Sequence, residues 1–408
     1  MSSLFCMADG LGYLPRHIDA VLADALSNAS VILLDGPRGV GKTTSAARLC
    51  ASRVMLPRDL YVLAVDAERY LAALEPPVLL DEWQLAGTEL LWTVKRLVDA
   101  DPSPGRFLLT GSVEPAAYGP TYPLTGRAVR VVMRPMSWAE LAGRGDGEPF
   151  LKELVDGAEA PIGRQVPEFD LELLARPGFP GARATPDPGI FLEAYAAVVS
   201  QRAGEEGRDT SRLLRAMRVL ATLSGQAVPD QRIWESADVN KATWKHYDDL
   251  LTRVHLSAPL GAFESSRLSR LTAYPKRFLA DTALALALAD RTVADLRADP
   301  TTAGRFVESF VMQQLRPQVE AVGGSLMHVR TAAGEHEVDA VVETSKGLFA
   351  FEVKHGRHPG RADAAQLDWL RDRLGDRFRH GFVVHTGGEC YPLGERIVAL
   401  PVGALAGA

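Results

Sequence analysis

Eight consecutive residues, Gly36-Pro37-Arg38-Gly39-Val40-Gly41-Lys42-Thr43, carry the groups a chain needs to wrap phosphate. They complete the pattern Gly-x4-Gly-Lys-[Ser/Thr]. Glycines let the backbone close round phosphate oxygens with the amide N–H groups pointing inward. Lys42 is placed to reach the β- and γ-phosphates, and Thr43 to offer a hydroxyl to Mg²⁺. With Thr44, these residues form the expected nucleotide-binding set, and ATP and Mg²⁺ are the expected cofactors.

Such a loop needs acids at a second strand end. Val78-Leu79-Leu80-Asp81-Glu82 provides an apolar run closed by two carboxylates. Asp81 is expected to hold Mg²⁺ through water, and Glu82 to orient or deprotonate the attacking water. The bland alternative is that both cap the following helix. Asp66 and Glu68 are rival acids beside a less apolar run. Phe107-Leu108-Leu109-Thr110-Gly111-Ser112 is a further strand-like run ending in hydroxyls. Thr110 or Ser112 is then a candidate to sense the γ-phosphate, and the residues leave the choice between them open. Arg127 is a candidate to stabilise transferred phosphate charge from a neighbouring subunit.

A second constellation lies near the end of the chain. Asp339 falls in one strand-like run, and Glu352 and Lys354 in the next, with a turn near Ser345-Lys346-Gly347. A hairpin sets Asp339 beside Glu352. Glu352 and Lys354, two apart, share one strand face. Two carboxylates and a lysine on one face suit a Mg²⁺ site, with Glu308 as a third carboxylate. The alternative is a hairpin with an Asp/Glu/Lys salt-bridge cluster. His355 and His358 lie nearby, but two histidines do not make a zinc site.

These side chains need elements to place them. Val31–Asp35, Pro77–Leu80, Arg106–Thr110 and Ala128–Met133 read as buried strands, with a helix over Thr43–Ser52. Strand-helix-strand alternation with apolar strands predicts a parallel sheet covered on both faces. Gly143 to Gly189 is rich in Gly and Pro and reads as loops and a boundary. Phe191 to Asp299 is mostly helical. Within it, Gln231–Ala237 and Ala242–Leu251 flank a turn, a spacing that fits a winged helix. Lys241, Lys245, His246 and Arg253 are its candidate phosphate contacts, while Asp248 and Asp249 oppose them. After a helix over Phe306–Val322, strands are expected at Leu326–Thr331, Glu337–Glu343, Leu348–Lys354 and Gly381–His385, with a helix at Asp363–Leu374.

Composition limits the classes. The chain has 408 residues, 47% hydrophobic and 24% charged, with a net charge of −6. It is long enough for two or three domains and is neither disordered nor disulfide-built. No global basic excess advertises nucleic acid, so a nucleic-acid site has to be local. The three cysteines, Cys6, Cys50 and Cys390, are widely spaced, which fits a reducing compartment. With no signal-like start and no membrane-length apolar run, a cytoplasmic protein is expected.

The succession Gly36–Thr43, Leu79-Leu80-Asp81-Glu82-Trp83-Gln84, Leu109-Thr110-Gly111-Ser112, Leu124-Thr125-Gly126-Arg127 and Arg134-Pro135-Met136-Ser137-Trp138-Ala139-Glu140-Leu141 resembles prokaryotic AAA-type ATPases, usually known only as ATP-binding proteins. Their ATPase core precedes a winged-helix region and a domain of unknown function. Tyr274-Pro275-Lys276-Arg277-Phe278 and Asp281-Thr282 are similar to their Pro-Lys…Asp-Thr signature. The carboxy-terminal order of helix, Asp strand, Glu-x-Lys strand and helix resembles the PD-(D/E)XK restriction-nuclease-like fold, with Gln366 matching a glutamine some members use.

The resemblance implies an α/β protein in three parts. They are a P-loop AAA-type parallel-sheet ATPase domain (1–142), a helical lid and winged-helix region (143–300), and a nuclease-like α/β domain (301–408). It implies a Mg²⁺-dependent ATPase acting on DNA, branched or junction DNA among the substrates. A homo-oligomer is expected, a hexamer among its forms. The rival expectation is a nucleotide-dependent signalling or partner-binding switch whose nuclease-like domain is inactive.

Overall fold

The computed structural model describes residues 12–111, 122–263, 274–331 and 335–406. The chain forms two compact units.

One unit comprises Pro15–Arg134 together with the short segment Arg253–His255. Its strands β1 (Val31–Asp35), β2 (Ser52–Met55), β3 (Val78–Asp81), β4 (Phe107–Thr110) and β5 (Ala128–Val132) form a sheet in the order β2-β3-β4-β1-β5. All four pairings are parallel, with Leu34 opposite Thr110 and Asp81 opposite Thr110. Alternation along each strand sends side chains to opposite faces. Val31, Leu33, Leu80 and Leu109 pack with Leu91 and Val94 of helix α4 (Thr88–Ala100). Ile32, Leu34, Leu79 and Leu108 pack with Leu22 and Leu26 of helix α1 (His17–Asn28). This double covering explains why the strands read as unbroken apolar runs.

Between them lie α2 (Lys42–Ala47) and α3 (Leu60–Ala72). Helix α2 is shorter than the expected Thr43–Ser52, because the chain has to turn at Arg48 to enter β2. Strand β2 and helix α3 were not legible, since Ser52 and Arg53 give an edge strand half polar. The rivals Asp66 and Glu68 sit on α3, where Asp66 accepts from Arg69 N and Glu68 pairs with Arg96 on the surface.

The other described unit takes the remaining residues, so the middle and carboxy-terminal regions share one compact body. Short helices α5 (Trp138–Leu141), α6 (Phe150–Val155) and α7 (Pro180–Arg183) lead to α8 (Pro188–Glu205) and α9 (Thr210–Thr222). Helices α10 (Asp230–Ser236) and α11 (Lys241–Arg253) precede the antiparallel pair β6 (Ser257–Leu260) and β7 (Lys276–Leu279). Then follow α12 (Thr282–Leu288), α13 (Val293–Ala298) and the long α14 (Pro300–Ala321).

The last region is a six-stranded mixed sheet, β8 (Ser325–Arg330), β9 (Glu337–Thr344), β10 (Gly347–Lys354), β11 (Phe378–His385), β12 (Tyr391–Gly394) and β13 (Ile397–Pro401), in the order β12-β13-β11-β10-β9-β8. Helix α15 (Ala365–Leu374) places Leu367, Leu370 and Leu374 against Leu348, Ala350 and Val383. The strand expected to be last is followed by two more, β12 and β13. Among the described residues, no helix is long and apolar enough to cross a membrane. Cys50 and Cys390 are buried free thiols, pushed up to about 12 and about 11 by burial, and Cys6 lies outside the described residues.

Candidate active site

The phosphate loop leaves β1 at Asp35 and closes into α2, as its pattern requires. Gly36 has φ +147°, and a Cβ there would sit 2.3 Å from Met133 O, so only glycine fits. Lys42 donates to the backbone oxygens of Gly36 (2.8 Å) and Pro37 (3.0 Å). Those partners are neutral. Burial pulls the Lys42 pKa down to about 8, against the opposing pull of Glu82, Asp35 and Asp81. The ammonium is therefore under-compensated, and an incoming phosphate supplies the charge it lacks. Arg38, Gly39 and Thr44 are exposed, while Pro37 and Val40 are buried beneath the loop.

The second-strand acids stand where the sequence placed them. Asp81 Oδ1 accepts from Thr43 Oγ1 (2.7 Å) and from Thr110 Oγ1 (2.6 Å). One carboxylate oxygen thus joins three strand or helix ends. Thr43 and Asp81 are adjacent oxygen donors of the kind that hold Mg²⁺ in P-loop sites, so this pair fits the metal. Thr110 is 1% exposed, its hydroxyl donates to Asp81, and Glu82 N donates to it (3.3 Å). It positions the acid pair. Ser112 lies outside the described residues.

Glu82 has φ +53°, a left-handed conformation that a non-glycine residue rarely takes and that turns its side chain out of the strand line. Gln84 Nε2 donates to Glu82 Oε2, a contact the sequence did not flag. A second unflagged pair is Arg130 Nε with Asp35 Oδ2, at the strand end just before the loop.

Arg127 is not part of this chain's own loop. Its guanidinium pairs with Asp99 on α4 and donates to Thr125 O (3.2 Å). It precedes Ala128, which pairs with Val31 at the start of β1, whereas the loop follows the end of β1. That separation is a strand's length, about 13 Å.

The carboxy-terminal constellation assembles differently. The β9–β10 hairpin turns between Thr344 and Gly347, and Asp339 Oδ2 accepts from Val353 N (2.9 Å), so Asp339 and the Glu352 strand do meet. Lys354 Nζ donates to Glu352 Oε1 (2.8 Å), as a shared strand face requires. Between Asp339 and Glu308, two of the candidate carboxylates, lies Lys276 of β7. Its Nζ donates to Asp339 Oδ1 (2.8 Å) and Glu308 Oε1 (2.9 Å), and lies 3.0 Å from Glu337 Oε1.

An ammonium has three N–H donors, and here each faces a carboxylate. Lys276 is 1% exposed. Burial opposes its charge, but Asp339, Glu308 and Glu337 outweigh burial and hold its pKa well above the ordinary lysine value. Burial and then the Asp339 charge push Glu308 and Glu352 up to about 8, in spite of Lys276 and Lys354.

Asp339 and Glu352, the expected metal pair, are thus each bonded to a lysine, Asp339 to Lys276 and Glu352 to Lys354. Among the described residues, no group of three or more His, Cys, Asp or Glu is arranged to hold a metal ion. Gln366 lies on α15, and its Oε1 contacts His336 Nδ1 (2.9 Å).

Neighbouring Arg277 points to the opposite face of β7, as strand alternation demands. It binds Asp248 of α11 through Nε (3.1 Å) and Nη2 (2.9 Å), reaches Asp230 (2.9 Å), and lies over Trp244. Asp281 is wholly buried and accepts from Gly178 N and Leu284 N, with Gln313 alongside Thr282. The Pro-Lys…Asp-Thr signature is therefore a set of buried cross-links.

A parallel sheet with a phosphate loop after β1 and an Asp-Glu pair after β3 is that of a P-loop ATPase. Residues 28–142 match the family described as an AAA domain, so this part of the chain is an AAA-type P-loop ATPase domain. Residues 190–295 and 303–405 match two further families, each described as a domain of unknown function. Two uncharacterised proteins, from Mycobacterium bovis and Mycobacterium tuberculosis, are each 28% identical over 404 residues, which is 95% of this chain and 83% of theirs. Among solved structures, the Walker-type ATPase of Pyrococcus abyssi has a TM-score of 0.42 at 15% identity, over 70% of this chain and 99% of that one. A Vibrio cholerae protein has a TM-score of 0.21 at 12% identity, over 93% and 96%.

Proposed function

We propose that the protein is a Mg²⁺-dependent ATPase that works as a nucleotide-driven switch, and that its nuclease-like carboxy-terminal domain docks a partner without cutting nucleic acid. One observation carries this reading: the Lys276 ammonium sits among Asp339, Glu308 and Glu337, the place a nuclease needs for its cation.

At the nucleotide site, Lys42 leaves its carbonyl partners for the phosphates. Thr43 and Asp81 would hold Mg²⁺, which would neutralise phosphate charge. Thr110 keeps Asp81 oriented, and Glu82, held by Gln84, takes a proton from the attacking water. Arg127, remote from its own loop, serves a neighbouring copy in a homo-oligomer.

A DNA-acting ATPase is the second reading. Exposed Lys241 and Lys245 on α11, the second helix of a winged-helix arrangement, favour it. Exposed Asp249 on the same helix and Asp248 tied to Arg277 disfavour it. The ATPase rate with linear, single-stranded and four-way DNA separates the two. The switch reading expects a flat response to all three, and stimulation by any of them establishes the DNA reading.

A further inference from the structure

Helix α11 ends in a way that calls for glycine. Leu256 N donates to Leu251 O (2.9 Å), the six-to-one bond of a Schellman cap. The residue before Leu256 then has to be left-handed, and it is His255, with φ +59°. A histidine at this position is strained where glycine would be at ease. Strain of this kind, kept by a sequence, is a reason to look for a task.

The surroundings of His255 supply one. The segment Arg253–His255 belongs to the nucleotide-binding unit. His255 is 6% exposed, and its Nε2 has no hydrogen-bond partner among the described residues. A buried ring nitrogen left unpaired is costly unless something arrives to pair it. The charges close enough to act on the ring are all cationic: Arg134, Arg130 and the loop lysine Lys42. Burial, and then these cations, depress its pKa to about 3, so the imidazole is neutral. In its Nε2–H tautomer, a neutral imidazole with this nitrogen unpaired, within electrostatic reach of the phosphate-loop lysine and two arginines, is a donor to an anion.

We propose that His255 donates its Nε2–H to a phosphate of the bound nucleotide. This rests on nucleotide binding at Lys42, as proposed above. No motif in the sequence marks it, because His255 is more than two hundred residues from the loop.

Calorimetric titration of the full chain with ADP and with a slowly hydrolysed ATP analogue, beside melting curves, tests the proposal. His255→Gly relieves the left-handed strain, so without nucleotide it should melt no lower than wild type. It should nevertheless bind ADP about tenfold or more weakly, the loss expected of a hydrogen bond to a charged group. His255→Asn tolerates the left-handed backbone and keeps an N–H donor, so it should recover part of the affinity. Adding ADP to wild type labelled at histidine nitrogen should shift the His255 Nε2 resonance. Wild-type affinity in a stably folded His255→Gly, with an unmoved Nε2 resonance, would overturn the inference and leave the nucleotide reading intact. A wild-type chain that binds no nucleotide, indistinguishable from Lys42→Ala, would overturn both.

Discussion

Two buried lysines beside strand-end carboxylates divide this protein. Lys42 is bonded to neutral carbonyls and its pKa falls to about 8, whereas Lys276 is bonded to carboxylates and its pKa rises. The first cation lacks a counter-charge and can take one from a ligand. The second is saturated by its own chain. Asp81 and Asp339 look alike in sequence, each in an apolar strand beside a second acid. What separates a site that binds from one that only holds the fold together is whether the protein has already supplied the counter-ion.

The largest expected effect follows from the first lysine. Lys42→Ala should lower ATP turnover at least ~100-fold, the scale for losing a principal charge donor to the reacting group. Its melting temperature should stay near wild type, because Lys42 bonds only loop carbonyls. A large loss of stability would make Lys42 a structural cation like Lys276 and erase the contrast.

The second lysine should behave in the opposite way. Lys276→Met leaves buried carboxylates without their cation, a change that costs about 3–5 kcal/mol in comparable sites, while ATP turnover per folded molecule should persist. Urea unfolding measures the loss. Mn²⁺ should stabilise the variant more than wild type, since only the variant has a cation's place to fill among these carboxylates. An equal gain in both would mean that Lys276 does not stand where a cation would go.

Asp339→Asn sharpens the comparison on a smaller scale. Two carboxylates close together would gain from losing one charge. Here Asp339 accepts from both Lys276 and Val353 N, so the change should destabilise by about 1.5–3 kcal/mol. A neutral or stabilising result in urea would mean repulsion, not ion pairing, governs the cluster.

The pH dependence should have opposite signs in the two places. Burial pushes the pKa of Glu308 and of Glu352 above the ordinary 4.5, up to about 8. Their raised pKa gives stability that is full below about 4.5 and lost as pH rises towards 8. His255 is depressed from 6.5 to about 3, so its contribution is full above 6.5 and lost as pH falls towards 3. His328 adds a loss on the acid side of the other unit, being lowered to about 4 by burial and Lys276. The discriminating measurement is therefore the slope of stability between pH 5 and 8, which Glu308→Gln should flatten. An unchanged slope would remove Glu308 as its source.

Local rules account for what the sequence made legible. The phosphate loop is a contiguous motif, and β1, β3 and β4 are apolar on both faces, so the loop, Asp81 and the parallel sheet could be read directly. The β9–β10 hairpin and the shared face of Glu352 and Lys354 follow from turn chemistry and strand alternation. Lys276 could be quoted as part of a signature but not understood, because its partners lie 32, 61 and 63 residues away along the chain. Non-local pairing also hid the Thr110–Asp81 bond and the cap at His255. Two strands, β12 and β13, were missed at the end of the chain, where only Glu395 and Arg396 separate them.

On the proposed function, one site turns over nucleotide while the other is closed to cation chemistry. A single Mg²⁺ reaction containing ATP and a mixture of linear, single-stranded and branched DNA tests both halves, with phosphate release and strand breakage read from the same tube. The account expects phosphate release that Lys42→Ala abolishes, and intact DNA throughout. DNA cleavage by wild type that survives Lys42→Ala and is lost in Glu352→Gln would contradict it.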